Sequence, residues 1–208
     1  MSHQLINQDS GVDEYYTQEY IIDLVYRVLG HIDLDPASCM EANEVVKAKH
    51  IFTKETDGLT QVWFGNVWMN HPFHKGEKAC AKKCKKVNCK KSRKKGVKRR
   101  GHCITEDIPS NEMWINKLVN EYESGHVKEA ICITFSSMSE AWMTPLLGYL
   151  QCFPQGRIYY RKPDGTVEKQ ATKGSMFTYM GNNEDKFAEV FSEIGTIKKE
   201  YIPRKNIA

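Results

Sequence analysis

The strongest constraint on the fold of this chain is the stretch 67–73, which reads Val-Trp-Met-Asn-His-Pro-Phe. Its first three residues are β-branched, aromatic or long and apolar, which predicts a buried strand. Pro72 can continue neither a central strand nor a helix, so the strand must stop near Asn70. The pattern therefore predicts a carboxamide and an aromatic ring at the carboxyl end of a strand. That is the edge where open α/β sheets bind their ligands.

Strand and helix patterns alternate along the remainder of the chain. Thr17 is predicted to cap the first helix, and Gly30 to end it. The predicted helices are 18–29, 41–50, one that starts after Ser110, a short one around Trp142 and one from Asn183 to Gly195. The predicted strands are 31–35, 67–69, 130–135, 157–160 and 175–180. This alternation predicts an α/β sandwich of three layers, with the sheet between two layers of helices.

Composition places the chain among soluble intracellular proteins. Its 208 residues are 40% hydrophobic and 27% charged, which suits a single α/β domain and excludes a disordered chain. No apolar run approaches membrane-spanning length, and the N-terminus lacks the features of a signal peptide, so a cytoplasmic location without membrane contact is expected. Seven cysteines in such a compartment argue against a disulfide framework.

Positive charge is concentrated in residues 75–103, hereafter the basic block. It holds fourteen Lys or Arg residues against one acid, Glu77, so it carries +13 while the chain as a whole carries +4. Charge of this density is typical of segments that bind phosphate, and it predicts strong but sequence-independent DNA contacts. The predicted DNA-contacting residues are Lys82, Lys83, Lys85, Lys86, Lys90, Lys91, Arg93, Lys94, Lys95, Lys98, Arg99 and Arg100.

Four of the seven cysteines lie in the basic block, with the spacing Cys80-x3-Cys84-x4-Cys89-x13-Cys103. Four thiolates can hold a tetrahedral zinc ion, which would supply folding energy that this lysine-rich segment cannot gain by apolar burial. His74 or His102 could replace one of the thiolates. The alternative is a basic loop without metal, in which the cysteines are incidental.

Three short motifs follow one another in the first half of the chain: Asp35-Pro36-Ala37-Ser38, Asp57-Gly58-Leu59 and Asn70-His71-Pro72-Phe73. The last resembles the Asp/Asn/Ser-Pro-Pro-Tyr/Phe/Trp signature of amino-group methyltransferases, with His71 at the first proline position. As a whole, the chain resembles the phage-encoded Dam-like family of DNA N6-adenine methyltransferases. Further positions that carry this resemblance are Tyr16, Thr17, 32–34, Asn43, 52–56, Trp63, Arg157, Ile158 and 174–181.

The resemblance implies a Rossmann-like fold that binds S-adenosylmethionine, with the cofactor near the four residues 35–38. It also implies that Thr17 lies by the cofactor's methionine end and Asp57 by its adenine. Gln18 replaces a proline frequent in the family, and no glycine-rich turn follows Ala37. The expected cell compartment, for a phage-encoded enzyme, is the cytoplasm of the host.

The resemblance also sets the expected domain organisation. Residues 1–13 read as a flexible arm, and residues 14–74 and 104–208 form the methyltransferase domain. Residues 75–103 are inserted into that domain as a small basic, cysteine-rich lobe. Because this lobe starts directly after Phe73, we expect it beside the pocket for the target base.

The motif 70–73 suggests a chemistry for methylation of an exocyclic amine. The Asn70 side-chain oxygen and the His71 carbonyl can accept the hydrogens of an adenine N6 amine and so direct its lone pair toward a methyl donor. Pro72 shapes the turn, and Phe73 offers a ring on which a base flipped out of double-stranded DNA can stack. The His71 ring could shape the rim or touch phosphate, or only its backbone could act.

Two other functions are compatible with the same residues. The same motif could orient either exocyclic amine, so the target could be cytosine N4 instead of adenine N6. The chain could also be a non-catalytic nucleic-acid-binding protein that retains a methyltransferase fold, with the basic block as its functional part.

Overall fold

The computed structural model describes residues 16–81, 104–162, 165–168 and 173–200 of the chain. Its α-helices in these ranges are α1 (Glu19–Leu29), α2 (Met40–Val46), α3 (Asn111–Glu123) and α4 (Glu184–Phe191), and a 3-10 helix spans Ala141–Leu146. Its strands are β1 (Leu34–Asp35), β2 (His50–Ile51), β3 (Gly65–Met69), β4 (Lys75–Glu77), β5 (Ile108–Ser110), β6 (Val127–Phe135), β7 (Leu150–Pro154), β8 (Tyr160–Arg161), β9 (Val167–Glu168), β10 (Ser175–Met180) and β11 (Gly195–Lys198). The predicted mixed α/β class is confirmed.

A central sheet of seven strands has the order β11-β7-β10-β6-β3-β1-β2. The four strands β2, β1, β3 and β6 are parallel neighbours. β10 runs antiparallel to both β6 and β7, and β11 runs antiparallel to β7. Five of the seven strands therefore point the same way, which is compatible with a Rossmann-like fold.

Apolar side chains cover both faces of this sheet because successive strand residues point to opposite sides. On one face, Trp68 of β3 packs in a cluster with buried residues of α1 and α4. On the other face, Val67 and Met69 of β3 pack with buried residues of α3. The central strands are thus buried on both sides, which explains their nearly continuous apolar sequence.

Helix α1 forms where the apolar spacing predicted it, and Gly30 ends it with a positive φ of 73°. The prediction that Thr17 caps this helix was wrong, because Gln18 occupies the cap position and makes no side-chain cap hydrogen bond. Among the described helices, α1 included, none is long and apolar enough to cross a membrane. Ser110 does cap α3, since its Oγ accepts a hydrogen bond from the Met113 amide at 3.2 Å.

Helix α2 ends at Val46, four residues before the predicted end at residue 50. Lys47 takes a left-handed conformation with a φ of 54°, which stops the helix. The Asn43 side chain then replaces the lost backbone bonds, because its Oδ1 accepts from the Ala48 amide at 2.8 Å and its Nδ2 donates to the Ala48 carbonyl at 3.2 Å.

Two predictions in the last third of the chain were wrong, and one strand of the central sheet was not predicted. Residues 157–160 add no strand to the central sheet, since only Tyr160–Arg161 is extended and pairs with β9. The strand in the sheet is Leu150–Pro154, whose sequence carries a proline and shows no clear alternation. Gly195 begins β11 instead of ending α4, and a Cβ atom there would approach the Phe153 carbonyl oxygen to 2.3 Å, so only glycine fits this close strand pairing.

Candidate active site

Three parallel strands end side by side at one edge of the central sheet. β1 pairs with β3 and β3 with β6, so the segments that follow them are neighbours. We call this edge the carboxyl edge and the opposite one the amino edge. From β1 the chain adds β2 on one side and β3 on the other, which creates a topological switch point between β1 and β3. Ligands of open α/β sheets bind outside the carboxyl ends of the strands at such a point.

Asp35 ends β1, and only 3% of the residue is exposed. Its Oδ1 accepts a hydrogen bond from the Ala37 amide at 3.2 Å. Burial raises the pKa of Asp35 to about 7, although the Ala37 amide and the nearby Ser38 hydroxyl act to lower it. Ser38 Oγ is buried and has no hydrogen-bond partner of good geometry in the described part of the chain. A carboxyl group with a shifted pKa beside an unsatisfied hydroxyl is typical of a binding site.

The segment around Asp57 lies against the turn that follows β1. A Cβ atom on Gly58 would come within 2.0 Å of the Pro36 carbonyl oxygen, so the two backbones touch and only glycine fits. The Gly58 carbonyl accepts a hydrogen bond from the buried Trp63 indole at 2.7 Å. Asp57 itself is exposed, has a left-handed φ of 49°, and accepts the Leu59 amide on Oδ1 at 3.2 Å. The structure thus brings two of the three sequence motifs together.

Asn70 follows β3 and contacts the segment that precedes α1. Its Nδ2 lies 3.1 Å from Thr17 Oγ1 in a hydrogen bond, which fixes the plane of the carboxamide. Thr17 is 4% exposed and is 53 residues away in the sequence. Two predicted site residues from different motifs are therefore direct partners, and the Thr17 hydroxyl orients Asn70 instead of capping a helix.

Thr17 is held in place by its chain neighbours. The Tyr16 amide and carbonyl pair with the carbonyl and amide of Arg161 at 2.8 and 2.9 Å. Gln18 Nε2 donates to the Tyr159 carbonyl at 2.7 Å. The residue that departs from the family pattern at position 18 therefore anchors this segment to the strand β8 region through its side chain.

His71 is buried inside the protein, with 2% of the residue exposed, and cannot reach a phosphate group in this structure. Its Nε2 lies 3.3 Å from Asn111 Oδ1, which also accepts the His74 amide at 3.0 Å. Because that oxygen already accepts a backbone hydrogen, His71 Nε2 must be the donor and the ring is the neutral Nε2–H tautomer. Desolvation lowers the pKa of His71 to about 4, against the opposing effect of Asn111. Nδ1 has no partner among the described residues.

Asn111 is hydrogen-bonded to two residues of the loop after β3, His71 and His74. We call this set of hydrogen bonds the Asn111 latch. Its side-chain Oδ1 accepts from the His71 ring and the His74 amide, and its backbone amide donates to the His74 carbonyl at 2.7 Å. The His71 ring also packs near Trp114 of α3, with centroids 6.1 Å apart. The first residue of α3 thus sets the conformation of the loop that carries Asn70.

Phe73 completes the motif as a half-buried ring. Its centroid is 4.3 Å from that of Phe135, the last residue of β6, and 5.1 Å from that of His71, which meets it edge-on. The ring is therefore fixed at the carboxyl edge by two aromatic neighbours, while Pro72 beside it is exposed.

A cleft of about 160 Å³ opens beside Thr17. It is lined by Thr17, Gln18, Glu19, Val45, Arg161 and Val167. The lining combines an acid, a base and apolar groups, so the cleft can accept part of a polar ligand but is too small to enclose a nucleoside and an amino acid together.

The basic block leaves the domain through a ribbon of two antiparallel strands. β4, inside the block, pairs with β5, and the Cys80 amide donates to the Ile104 carbonyl at 2.9 Å, so the two residues that bracket 81–103 are directly bonded. Asp107 joins them further, because its carboxylate binds Lys78 Nζ at 2.6 Å and the Ala79 amide at 2.8 Å. The ribbon starts at the Asn111 latch, where Lys75 pairs with Ser110.

Most of the predicted metal and DNA ligands lie outside the described residues. These are Cys84, Cys89 and Cys103, His102, and all twelve Lys and Arg residues predicted to contact DNA between 82 and 100. Cys80 lies within the described residues and is half-buried. Within the described ranges no three His, Cys, Asp or Glu side chains form a group that could hold a metal ion. His74 Nδ1 accepts the Gly76 amide at 3.0 Å, which leaves only its Nε2 for any metal.

Asn111 and Phe135 are site residues that the sequence analysis missed. Asn111 lies 40 residues from His71 and looks like an ordinary first residue of a capped helix. The sequence pattern predicts only that Phe135 belongs to a buried strand. Its position as the last residue before Ser136 was the available signal, because side chains at the carboxyl ends of parallel strands meet at one edge.

Comparisons with known proteins add no relative to this description. No protein-family model, no curated protein and no solved structure matches the chain.

Proposed function

We propose that this protein is an S-adenosylmethionine-dependent DNA methyltransferase of the Dam-like type that modifies adenine N6. One observation carries the proposal: the motif 70–73 follows β3 directly beside the Asp35–Ser38 turn of β1, at the switch point of the sheet. A methyl acceptor bound by the first motif and a donor bound by the second would then be neighbours.

The residues of the β1 turn fit a cofactor of this kind. The buried Ser38 hydroxyl lacks a partner of good geometry among described residues, and the Asp35 carboxyl is ready to accept hydrogen bonds from a polar ligand. Gly58, next to Asp57, touches Pro36 of this turn, and the cleft is lined by Thr17, the partner of Asn70. Asp57 and this cleft would receive the ends of the cofactor. S-Adenosylmethionine supplies an electrophilic methyl group there when it is bound.

Asn70 and the His71 carbonyl would orient the target amine. The lone pair of an exocyclic amine is delocalised into the base, so acceptors for both of its hydrogens are needed to direct density onto nitrogen. The hydrogen bond to Thr17 restricts the Asn70 carboxamide before substrate binds, which reduces the entropy lost in the reactive complex. Phe73 would stack on the flipped base.

The His71 side chain would act as a structural support and not as a base. Its pKa of about 4 makes it a poor proton acceptor, and its Nε2–H is already used by Asn111. A methylated amine loses its extra proton readily, so the reaction needs no strong base before transfer. The Asn111 latch thus takes over the task of shaping the loop that a proline performs in the family signature.

We further propose that Cys80, Cys84, Cys89 and Cys103 bind one structural zinc ion in the basic block, and that the block binds double-stranded DNA. The hydrogen bond from Cys80 to Ile104 supports this, because it holds the first thiol at the stem of the block. Metal analysis of purified protein should return about one zinc per chain. Protein that contains no zinc and keeps its fold would refute the metal site.

Nucleoside mass spectrometry of duplex DNA incubated with the protein and S-adenosylmethionine tests the proposed reaction. We expect N6-methyladenine, and N4-methylcytosine would reassign the target base. DNA binding without any methyl product or cofactor binding would overturn the enzyme and leave a binding protein.

The Asn70→Ala variant tests the site itself. It should reduce turnover by at least about 10²-fold, because it removes one acceptor of the amine, while calorimetry shows little change in cofactor affinity. Asn183→Ala is a matched control, since Asn183 is exposed at the start of α4 and its side chain makes no cap hydrogen bond. Equal turnover in the two variants would refute the role of Asn70.

A further inference from the structure

Two aromatic rings meet at the carboxyl edge beyond Asn70. Phe73 and Phe135 are both half-buried, and their centroids are 4.3 Å apart at an interplanar angle of 49°. Phe73 lies in the loop after β3 and Phe135 is the last residue of β6. These strands are parallel neighbours, so both rings lie at the same edge of the sheet. A flat ligand that stacks on Phe73 would therefore have Phe135 at its border.

Two cationic side chains adjoin this aromatic pair. Lys173 Nζ lies 4.7 Å from the centroid of the Phe135 ring. Arg157 lies next to Gly174, where a Cβ atom would be 3.2 Å from the Arg157 Nη1 and 2.7 Å from Ser136 Oγ. The Ser136 amide donates to the Gly174 carbonyl at 2.9 Å, which fixes this backbone to the end of β6. Glycine at 174 thus permits the guanidinium to approach the strand end.

Neither cation is neutralised by a carboxylate of the described residues. Elsewhere in the described ranges, several lysines form ion pairs: Lys49 with Asp33, Lys117 with Glu121, Lys186 with Glu189 and Lys199 with Glu184. Arg157 and Lys173 form no such pair, and Arg157 is exposed. One of these cations lies over the Phe135 ring and the other lies beside Gly174, which is hydrogen-bonded to the residue after Phe135. Cations without a carboxylate partner beside an aromatic pair suit a ligand with both a ring and negative charge.

We infer that Arg157 and Lys173 form a clamp for the phosphates of the DNA strand that carries the target base. The inference rests on the proposed function, because it takes the ligand at Phe73 to be a nucleotide in DNA. The clamp lies outside the basic block. It would hold the backbone on either side of the extruded base, while the block holds the duplex elsewhere, so the two regions contribute separately to binding.

The clamp can be tested by the salt dependence of DNA binding. The double variant Arg157→Gln/Lys173→Gln removes both charges, and the control Lys128→Gln/Lys198→Gln removes two charges from exposed residues near the amino edge. Affinity for a fluorescein-labelled 24-base-pair duplex is measured between 50 and 300 mM KCl. We expect the slope of log K against log salt to decrease by roughly 1.8 in the clamp variant, about 0.9 for each lost phosphate contact.

The control should change the slope by less than about 0.3, and each single clamp variant by about half the double effect. Circular dichroism of all variants checks that the fold is retained. Equal slopes for the clamp and control variants would overturn the clamp, and wild-type methyl transfer would then leave the proposed function standing. A lower slope in the clamp variant only, with no methyl transfer by the wild type, would support the clamp and refute the methyltransferase.

Discussion

The two edges of the central sheet differ in whether their acidic side chains have cationic partners. At the amino edge, Asp33 before β1 binds Lys49 at 2.8 Å and the Asn66 amide at 2.9 Å. Burial alone would raise the pKa of Asp33, but these bonds hold it below its usual value. At the carboxyl edge, Asp35, two residues further along, is buried with no cationic partner among the described residues, and burial raises its pKa to about 7.

The same contrast holds for the histidines and for the second acid of the amino edge. Glu121 binds both Lys117 and His126, which lower its pKa against the effect of burial. In the part of the chain that the structure describes, no acid pairs with the buried His71 at the carboxyl edge, and desolvation lowers its pKa to about 4. Charges that are paired within the protein serve stability, whereas buried groups left without a counter-charge mark the edge prepared for a ligand.

Among the substitutions that test this difference, Asn111→Ala should cause the largest loss of stability. The substitution leaves the buried His71 Nε2–H and the His74 amide without their acceptor, which should cost roughly 3 to 4 kcal/mol of unfolding free energy. Urea denaturation measures the loss, and turnover should fall more than cofactor affinity because the loop carrying Asn70 loosens. A variant as stable as wild type would show that the latch does not fix this loop.

A slightly smaller loss of stability is expected when the pH is lowered through the titration range of His71. Its pKa is about 4 in the native state against 6.5 in the unfolded chain, so only the unfolded chain binds the proton between these values and stability falls as pH decreases from 6.5 to 4. The loss amounts to about 3 kcal/mol. Asp35 acts in the opposite direction in this window, so the measurement is the difference between wild type and His71→Phe. A difference independent of pH would contradict the buried neutral ring.

Asp35→Asn should stabilise the protein and weaken its proposed activity. Above pH 3.8 the unfolded chain releases a proton that native Asp35 keeps until about pH 7, so this carboxyl group costs stability as pH rises through that range. The neutral carboxamide avoids this cost and retains an acceptor for the Ala37 amide, which predicts a gain of about 2 kcal/mol at pH 8. Thermal unfolding at pH 5 and pH 8 measures it. A variant that binds S-adenosylmethionine as tightly as wild type would remove Asp35 from the proposed cofactor site.

The smallest effect is expected at the amino edge from Lys49→Met. Lys49 is 59% exposed on its side chain, and Asp33 keeps its bond to the Asn66 amide, so the stability change should be no more than about 0.5 kcal/mol. Turnover should match that of wild type. A loss of turnover here would mean that the two edges are not functionally distinct.

The sequence predicted those structural features that depend on the backbone preference of a single residue. The strand end at Asn70, the cap at Ser110 and the helix that ends at Gly30 follow from single residues whose backbone preferences are strong, and all three are found. The strands β7 and β11 could not be predicted in the same way. They are stabilised by pairing with each other and with β10, and their own sequences show little alternation.

The candidate site was predictable as a set of motifs but not as a set of contacts. Thr17 and Asn70 were both expected near the cofactor and the target base, yet nothing local indicated that they would bind each other. The role of His71 depends on Asn111, which only the tertiary fold brings within 3.3 Å. Asn111 is 40 positions from His71, and the pattern of a single sequence does not indicate a contact at that separation.

The ribbon of β4 and β5 has a consequence for how such a chain can evolve. Because Cys80 and Ile104 are already hydrogen-bonded to each other, the segment between them starts and ends at one closed point. The entropy of closing a loop grows only slowly with its length, so this segment can lengthen, shorten or be exchanged without disturbing the sheet. The closed stem therefore makes the segment between Cys80 and Ile104 an exchangeable module of this fold.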